Sequence, residues 1–352
     1  MESSGVVFAA EQLVRASRIN DLMHAIELLS ENAVRQCRPF AADDLDRFWA
    51  FISKRGLYAR YDIRSNVPYG PDSRLLRFLR SVAEEFSIPD TSFIYYQQDC
   101  LPDFGLKIRV LSLFYHSIPI FVSAKKLTQN DQVLFCDWHY DPTETNVESW
   151  NGMVQALSQP TSSTQWGNKI DKLIWRGGPN DGCYTPSTVN RFPRGRLVAL
   201  GREYPKLIDA SFNNYPPNFV EHREFFQRNF QAEFVSPAKM ASYKYQVDID
   251  GVTATFSSLS WKLLSGSLVF KQDSPNKTWF HDLLVPWKHY IPLQKDLGDL
   301  MDKLAWAKEN DGDCRAIAES GRELALNFLL PDNLKRYCFH VLVNYAKLFK
   351  NN

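Results

Sequence analysis

Apolar residues at Ile19, Leu22, Ile26 and Leu29 recur with the three- and four-residue spacing of one helix face and predict a helix over 13–35. A second helix is expected over 42–54, with Asp43 and Asp44 suited to the positive end of its dipole and Gly56 closing it. Residues 57–63 read as extended, 68–71 as a proline-bounded turn and 73–85 as an amphipathic helix. The run from Phe93 to Gln98 reads as a strand that ends at Asp99, and further strands are expected within 108–115 and 118–123. Alternating helix and strand of this kind predicts a parallel α/β sheet. A polar stretch from 127 to 168 then separates this pattern from a second one: strand 170–175, helix 194–204, strand 207–210 and helix 221–228. Three helices are expected to close the chain, over 297–310, 313–328 and 331–351. Asn310-Asp311-Gly312 punctuates the first pair and Pro331 starts the last.

Between the helix over 221–228 and the three closing helices lies the densest segment, 241–271. Tyr243 to Asp248 reads as a strand, Gly251 permits a turn, and Thr253, Thr255, Ser257 and Ser258 place hydroxyls before a short helix. Ser265-Gly266-Ser267 then leads into a second apolar strand through Lys271. Hydroxyls and free N–H groups at a helix start suit an anion, so this βαβ unit is a candidate phosphate cradle. Lys262 is the one cation between its strands, few for a diphosphate.

Length and composition fit that picture. The 352 residues suit two domains, and 44% hydrophobic with 14% aromatic residues can fill two cores. The expected division is an N-terminal helical region over 1–55, α/β domains over 56–165 and 166–325, and a C-terminal helix over 326–352 that packs across them. A cleft between two such domains would hold ligand beyond the carboxyl ends of the strands. A net charge of +1, without basic blocks or finger spacings, gives no nucleic-acid footprint, and no run of about 20 apolar residues marks a membrane span. No basic-then-apolar leader opens the sequence, so the expected compartment is the cytoplasm, or the secretory lumen if a leader precedes it. The six cysteines are scattered without metal-ligand spacing and read as buried free thiols, with three disulfides as the alternative. A monomer is expected.

Two strands end in polar groups. Asp99 is placed to act as a general base or to cap the next turn. Arg176-Gly177-Gly178 allows close backbone approach to an anion, or an ordinary turn with a salt bridge. Arg191, Arg194 and Arg196 cluster at a helix start, where one of them can reach a phosphate. Asp137, His139 and Asp141 lack a fourth ligand, and Asp248-Ile249-Asp250 is the nearest approach to a carboxylate metal pair. No Gly-x-Ser-x-Gly elbow supports a hydrolase.

Taken together, Trp175-Arg176-Gly177, 194–200, 204–210, Tyr243-Lys244-Tyr245, 266–271 and the Val285-Pro286-Trp287-Lys288-His289-Tyr290-Ile291-Pro292 run resemble the CAP10-like glycosyltransferases. The resemblance covers roughly residues 60–350. It implies an α/β, GT-B-like protein: two Rossmann-like domains facing a central cleft, with 56–165 on the acceptor side and 166–325 binding a UDP-sugar. The implied reaction is metal-independent, inverting transfer of glucose or xylose from UDP-glucose or UDP-xylose to a hydroxyl of a glycan, a protein or a small molecule. It needs no cofactor beyond the donor substrate. Asp99 matches the family's base. Arg194 matches a donor-site arginine, with Arg176, Gly177 and Gly178 nearby and Thr255, Ser257 and Ser258 in the phosphate loop. Ser258 stands where the family usually has arginine, and Lys262, one helical turn on, is expected to face the phosphate in its stead. Trp138, His139 and Trp287 are candidates to line the sugar pocket. A weakened relative that binds glycan or protein without turnover is the alternative.

Overall fold

The computed structural model describes residues 22–52, 58–62, 67–69, 73–96, 118–128, 132–136, 149–215 and 222–348. The chain divides into two compact units, one made of 1–143, 275–283 and 327–352, the other of 144–274 and 284–326.

The first unit contains helices α1 (Leu22–Val34), α2 (Ala42–Ile52) and α3 (Ser73–Glu85). Its strands are β1 (Tyr58–Asp62), β2 (Val67–Tyr69), β3 (Ser92–Tyr96), β4 (Ile120–Val122), β5 (Lys125–Lys126) and β6 (Gln132–Leu134). The main sheet runs β2-β1-β3-β4-β6. It corrects the expectation of a parallel sheet, because β1 is antiparallel to both β2 and β3, while β3-β4-β6 are parallel. The four residues joining β1 to β2 are too few for a crossover, so that pair is antiparallel; β2, α3 and β3 then form a parallel crossover around β1. Phe93 stacks on Phe121 at 4.2 Å, and Phe135 and Tyr345 meet Phe121 edge-on. Tyr345 lies on α11 (Pro331–Ala346), which packs on α1 and α3, and Tyr337 of the same helix donates to the Leu134 carbonyl at 2.9 Å.

The second unit opens with α4 (Trp150–Leu157), started by the Ser149 hydroxyl accepting from the Gly152 N–H. Its strands are β7 (Ile170–Gly177), β8 (Ile208–Phe212), β9 (Tyr243–Asp248), β10 (Leu268–Gln272) and β12 (Ile291–Leu293); the short β11 (Asn276–Lys277) belongs to the first unit and pairs there with β5. The five long-range neighbours run β8-β7-β9-β10-β12, all parallel. The intervening helices are α5 (Pro193–Glu203), α6 (Arg223–Phe230), α7 (Pro237–Met240) and α8 (Ser257–Leu264), followed by α9 (Leu300–Glu309) and α10 (Asp311–Phe328). Leu173, Trp175, Ile208, Ala210, Phe212, Tyr245, Val247 and Phe270 alternate onto one buried face. Strand order reverses between β7 and β9, which makes the gap beyond their carboxyl ends the topological switch point.

The expected βαβ unit is present as β9, α8 and β10. Gly266 follows the end of α8 with φ +65, a left-handed position that glycine takes without steric cost. Arg322 of α10 donates to the Leu157 and Ser158 carbonyls at 3.0 and 2.7 Å and also to the Leu264 carbonyl, so one cation closes the carboxyl ends of α4 and α8 together. At the sheet's amino-terminal side, buried Lys169 donates to Ala241, Ser265 and Ser267, and burial, reinforced by Arg322, lowers its pKa to about 7. Among the cysteines, Cys314 and Cys338 are buried free thiols, whereas Cys183 is exposed, which corrects the expectation that all are buried. No helix among the described residues is long and apolar enough to cross a membrane.

Candidate functional site

The switch point is built around Arg194, the second residue of α5. Its Nη1 donates to the Gly178 carbonyl at 2.8 Å and to the Asn180 amide oxygen. Its Nε reaches the Asp250 carbonyl at 3.0 Å and its Nη2 the Ile249 carbonyl at 2.9 Å. One guanidinium thus ties the chain leaving β7 to the chain leaving β9, lying 5.6 Å from the centre of the Trp175 ring. It is 8% exposed. Burial lowers its pKa, opposed by Asp181, Tyr184, Asp250 and Asp248.

The helix that carries it is closed by other residues. The Asp181 carboxylate accepts from the Arg194 N–H at 3.0 Å and from the Tyr184 hydroxyl at 2.6 Å, and that hydroxyl accepts from the Gly195 N–H at 2.9 Å. The amino end of α5 is therefore occupied by the protein's own anion. Gly195 is required there: a Cβ would strike the Val189 carbonyl and the Tyr184 ring.

Arg194→Lys should be destabilising by about 2–3 kcal/mol in urea unfolding, because one ammonium cannot reach the Gly178, Ile249 and Asp250 carbonyls together and leaves buried acceptors unmet. An unchanged midpoint would show that the guanidinium is not holding the two strand ends.

Lys262 does not stand free to meet a phosphate. Its ammonium is 2.8 Å from Asp248 Oδ1 at the end of β9, and the two side chains are 4% and 2% exposed. The Thr255 hydroxyl donates to the same oxygen at 2.7 Å. Burial pushes both groups toward neutrality, lowering Lys262 and raising Asp248. The charges of Lys262 and Lys271 and the hydrogen bonds from Lys262 and Thr255 outweigh this at Asp248, whose pKa is lowered.

Arg176 is likewise spoken for. It pairs with Asp209 of β8 at 2.7 Å and donates to the Trp175 and Asp209 carbonyls, both at 2.9 Å. The salt-bridge reading of Arg176 therefore describes its position. Gly177 and Gly178 serve close approach by side chains: a Cβ on Gly177 would meet the Trp175 ring at 2.6 Å, and one on Gly178 would strike the Asn214 amide.

Between Asp248 and α8 the loop keeps its anion-cradle character. Phe256 precedes the helix and gives no side-chain cap, so the first N–H groups have no side-chain acceptor there. Thr253 is buried with its hydroxyl unpaired, as is Ser260 one turn into the helix. Ser257 is buried and Ser258 half-buried at the helix start. The structure thus brings Arg194, Thr255, Ser257, Ser258 and Lys262 to one end of one sheet, with Arg176 tied to β8. Asp99, Asp137, Trp138, His139 and Asp141 lie outside the described residues. Trp287 lies just before β12 with φ 63 and its ring edge-on to Trp306 of α9 at 5.3 Å. Lys308 of that helix bonds Asp171 near the start of β7, so Trp287 sits by the strands' amino-terminal ends, away from Gly177 and Asp248.

Asp181, Tyr184 and Lys271 were not singled out by sequence. For Lys271 a signal existed: it alternates with Phe270, which faces the core, and in register it stands opposite Asp248. Among the described residues no group of three or more His, Cys, Asp or Glu could hold a metal ion.

A parallel sheet with a hydroxyl-rich loop and a helix start without a side-chain cap beyond its carboxyl edge defines an α/β protein whose sheet end suits an anion. The chain belongs to glycosyl transferase family 90, whose model matches residues 72–352. It is 32% identical over 307 residues to protein O-glucosyltransferase 3 of Mus musculus, covering 84% of this chain and 57% of that protein. It is 31% identical over 273 residues to protein O-glucosyltransferase 2 of Danio rerio, covering 77% of this chain and 50% of that protein. With protein O-glucosyltransferase 1 of Bos taurus it shares 26% identity over 328 residues, 89% of this chain and 78% of that protein. The chain thus spans about half the length of the first two relatives. A glycosyltransferase structure from Rickettsia africae ESF-5 overlaps with a TM-score of 0.41 at 12% identity, over 72% of this chain and 69% of that one, too slight a likeness to argue from.

Proposed function

We propose that the chain transfers a sugar from a UDP-sugar to an acceptor hydroxyl, without a metal and with inversion, in a GT-B arrangement of two Rossmann-like domains. The reading is supported most by one observation: the parallel sheet of a family 90 chain carries, beyond β9, a loop with a buried unpaired hydroxyl and an uncapped helix start. Such a loop suits the diphosphate of a nucleotide donor.

In the reaction the acceptor oxygen forms a bond to the anomeric carbon as the bond from that carbon to the β-phosphate oxygen breaks. The bonding electrons leave with UDP, and the acceptor proton passes to a carboxylate on the opposite face of the sugar. Asp99 is assigned that role on the strength of the family match. Glucose is the first donor sugar to test, because the relatives are named protein O-glucosyltransferases, and the same names favour a protein hydroxyl as acceptor. Xylose differs by one hydroxymethyl group, a difference a single apolar side chain can decide.

A binding protein without turnover is the second reading. It is favoured by the pairing of Arg176 with Asp209 and of Lys262 with Asp248, and by the uncharged Ser258. One set of measurements separates the two. UDP-glucose at 100 times its Kd should stabilise the protein by about 2.7 kcal/mol, seen as a raised melting temperature, with UDP-xylose and UDP-galactose as comparisons. UDP release from the bound donor supports transfer, and binding without release supports the second reading. A melting temperature indifferent to every UDP-sugar and to UDP would sink the transferase reading.

A further inference from the structure

Lys271 is a buried cation that the fold leaves with almost nothing to bind. Its side chain belongs to a residue 7% exposed, and its ammonium makes one long hydrogen bond, 3.3 Å, to the Gln272 carbonyl. It makes no ion pair among the described residues. The nearest carboxylate in register, Asp248 across the β9–β10 ladder, is already bonded by Lys262 at 2.8 Å and Thr255 at 2.7 Å. Lys271 acts on both Asp248 and Lys262 through space, so it adds a second positive charge to a carboxylate that one has already balanced. Keeping an ammonium out of water without a counter-ion is unfavourable, and a fold that tolerates it has a use for the charge.

The position of the charge says what the use is. Lys271 is the penultimate residue of β10, and its ammonium reaches the Gln272 carbonyl, toward the strand's carboxyl end. The face it shares with Asp248 is the one covered by α8, whose Lys262 is bonded there. The same end holds the unpaired Thr253 hydroxyl and the uncapped first turn of α8. The other cations of the site are held by the protein: Arg194 by three carbonyls and an amide, Lys262 by Asp248, and both terminal nitrogens of Arg176 by Asp209 and the Trp175 carbonyl, with its Nε unbonded. Asp250, the other acid nearby, is turned to the Ser274 hydroxyl.

We propose that Lys271 is the cation that holds the diphosphate of the nucleotide donor and stabilises the negative charge that builds on its β-phosphate oxygen as the bond to the sugar breaks. The acceptor's proton goes to the base on the other side of the sugar, and the electron pair departs with UDP. The assignment rests on the proposed transferase reading and supplies the charge that Ser258 lacks. Lysine suits the role as a compact point charge, and a charged hydrogen bond to phosphate is stronger than a neutral one.

The test uses the whole chain with Lys271→Met and Lys271→Gln. Melting temperature is measured without ligand, and the affinities of UDP and of uridine are measured by calorimetry. Both variants should bind UDP about 10- to 100-fold more weakly, the loss expected of one charged hydrogen bond. Uridine, which lacks phosphate, should bind as it does to the unaltered protein, and the ligand-free melting temperature should hold or rise. Variants that bind UDP as tightly as the unaltered protein overturn the assignment while leaving the transferase reading in place. So does a ligand-free melting temperature well below that of the unaltered protein, or failure of both variants to fold, since Lys271 would then be a structural partner of Asp248. If the unaltered protein binds no UDP, the transferase reading itself has failed and the assignment falls with it.

Discussion

Lys262→Ala is expected to lower stability by about 3–5 kcal/mol at neutral pH, the usual consequence of stripping one partner from a buried ion pair. Asp248 would remain 2% exposed, with the Thr255 hydroxyl as its surviving direct bond. Lys271, opposite it in the ladder, can move toward the vacated oxygen and hold the loss near the lower figure. The dependence on pH checks the cause. In the folded protein the Asp248 carboxyl is held below its ordinary value, so its contribution is present above its unfolded pKa, near 4, and is lost as pH falls through the folded one. In the variant the carboxyl loses its main counter-charge, burial raises it, and protonation relieves it. The difference between the two proteins should therefore shrink as pH falls toward about 4. Replacing both residues, Lys262→Met with Asp248→Leu, should recover most of the loss, because two apolar side chains leave no orphaned charge. Denaturant unfolding at several pH values reads all three results, and a single variant as stable as the parent would show that the 2.8 Å contact contributes nothing.

The second large effect falls on chemistry. Under the proposed mechanism Asp99→Asn should reduce transfer by about 10²- to 10⁴-fold, the range that a positioned general base supplies. An amide keeps the size of the carboxylate and cannot take the acceptor's proton. UDP affinity should not change, because the base acts across the sugar from the diphosphate. A rate loss shared with weakened UDP binding would place Asp99 on the donor instead, and an unaltered rate would remove it from the mechanism.

The second unit was readable to different depths at different residues. The βαβ segment was legible because its signals are local: apolar alternation in β9 and β10, Gly251 in the turn, Gly266 at the end of α8. Which way its charges point was not. A lysine one turn into a helix can face a bound phosphate or an internal acid, and the choice is made by Asp248, fourteen residues earlier and on another element. Arg194 was found from the family pattern, but its hydrogen bonds to carbonyls after two different strands depend on strand order, which no local window contains. Asp181 escaped notice because it caps α5 from the loop before it, across a segment with no periodic pattern. In the first unit, alternation of helix and strand identified α/β structure but not the direction of β1. Residues 68–71 read as a turn although β2 occupies Val67–Tyr69, so the four-residue link from β1, the sign that these neighbours run antiparallel, went unseen.

Arg322 has a mechanical consequence for the candidate site. It fastens the rear of α8 to the rear of α4, at Leu264 and at Leu157 and Ser158, while the front of α8 opens on the cradle. A helix clamped at its back cannot recoil or slide along its axis when an anion presses on its front N–H groups. Adjustment to a ligand would then fall to the 251–256 stretch, past the Ile249 and Asp250 carbonyls that Arg194 holds.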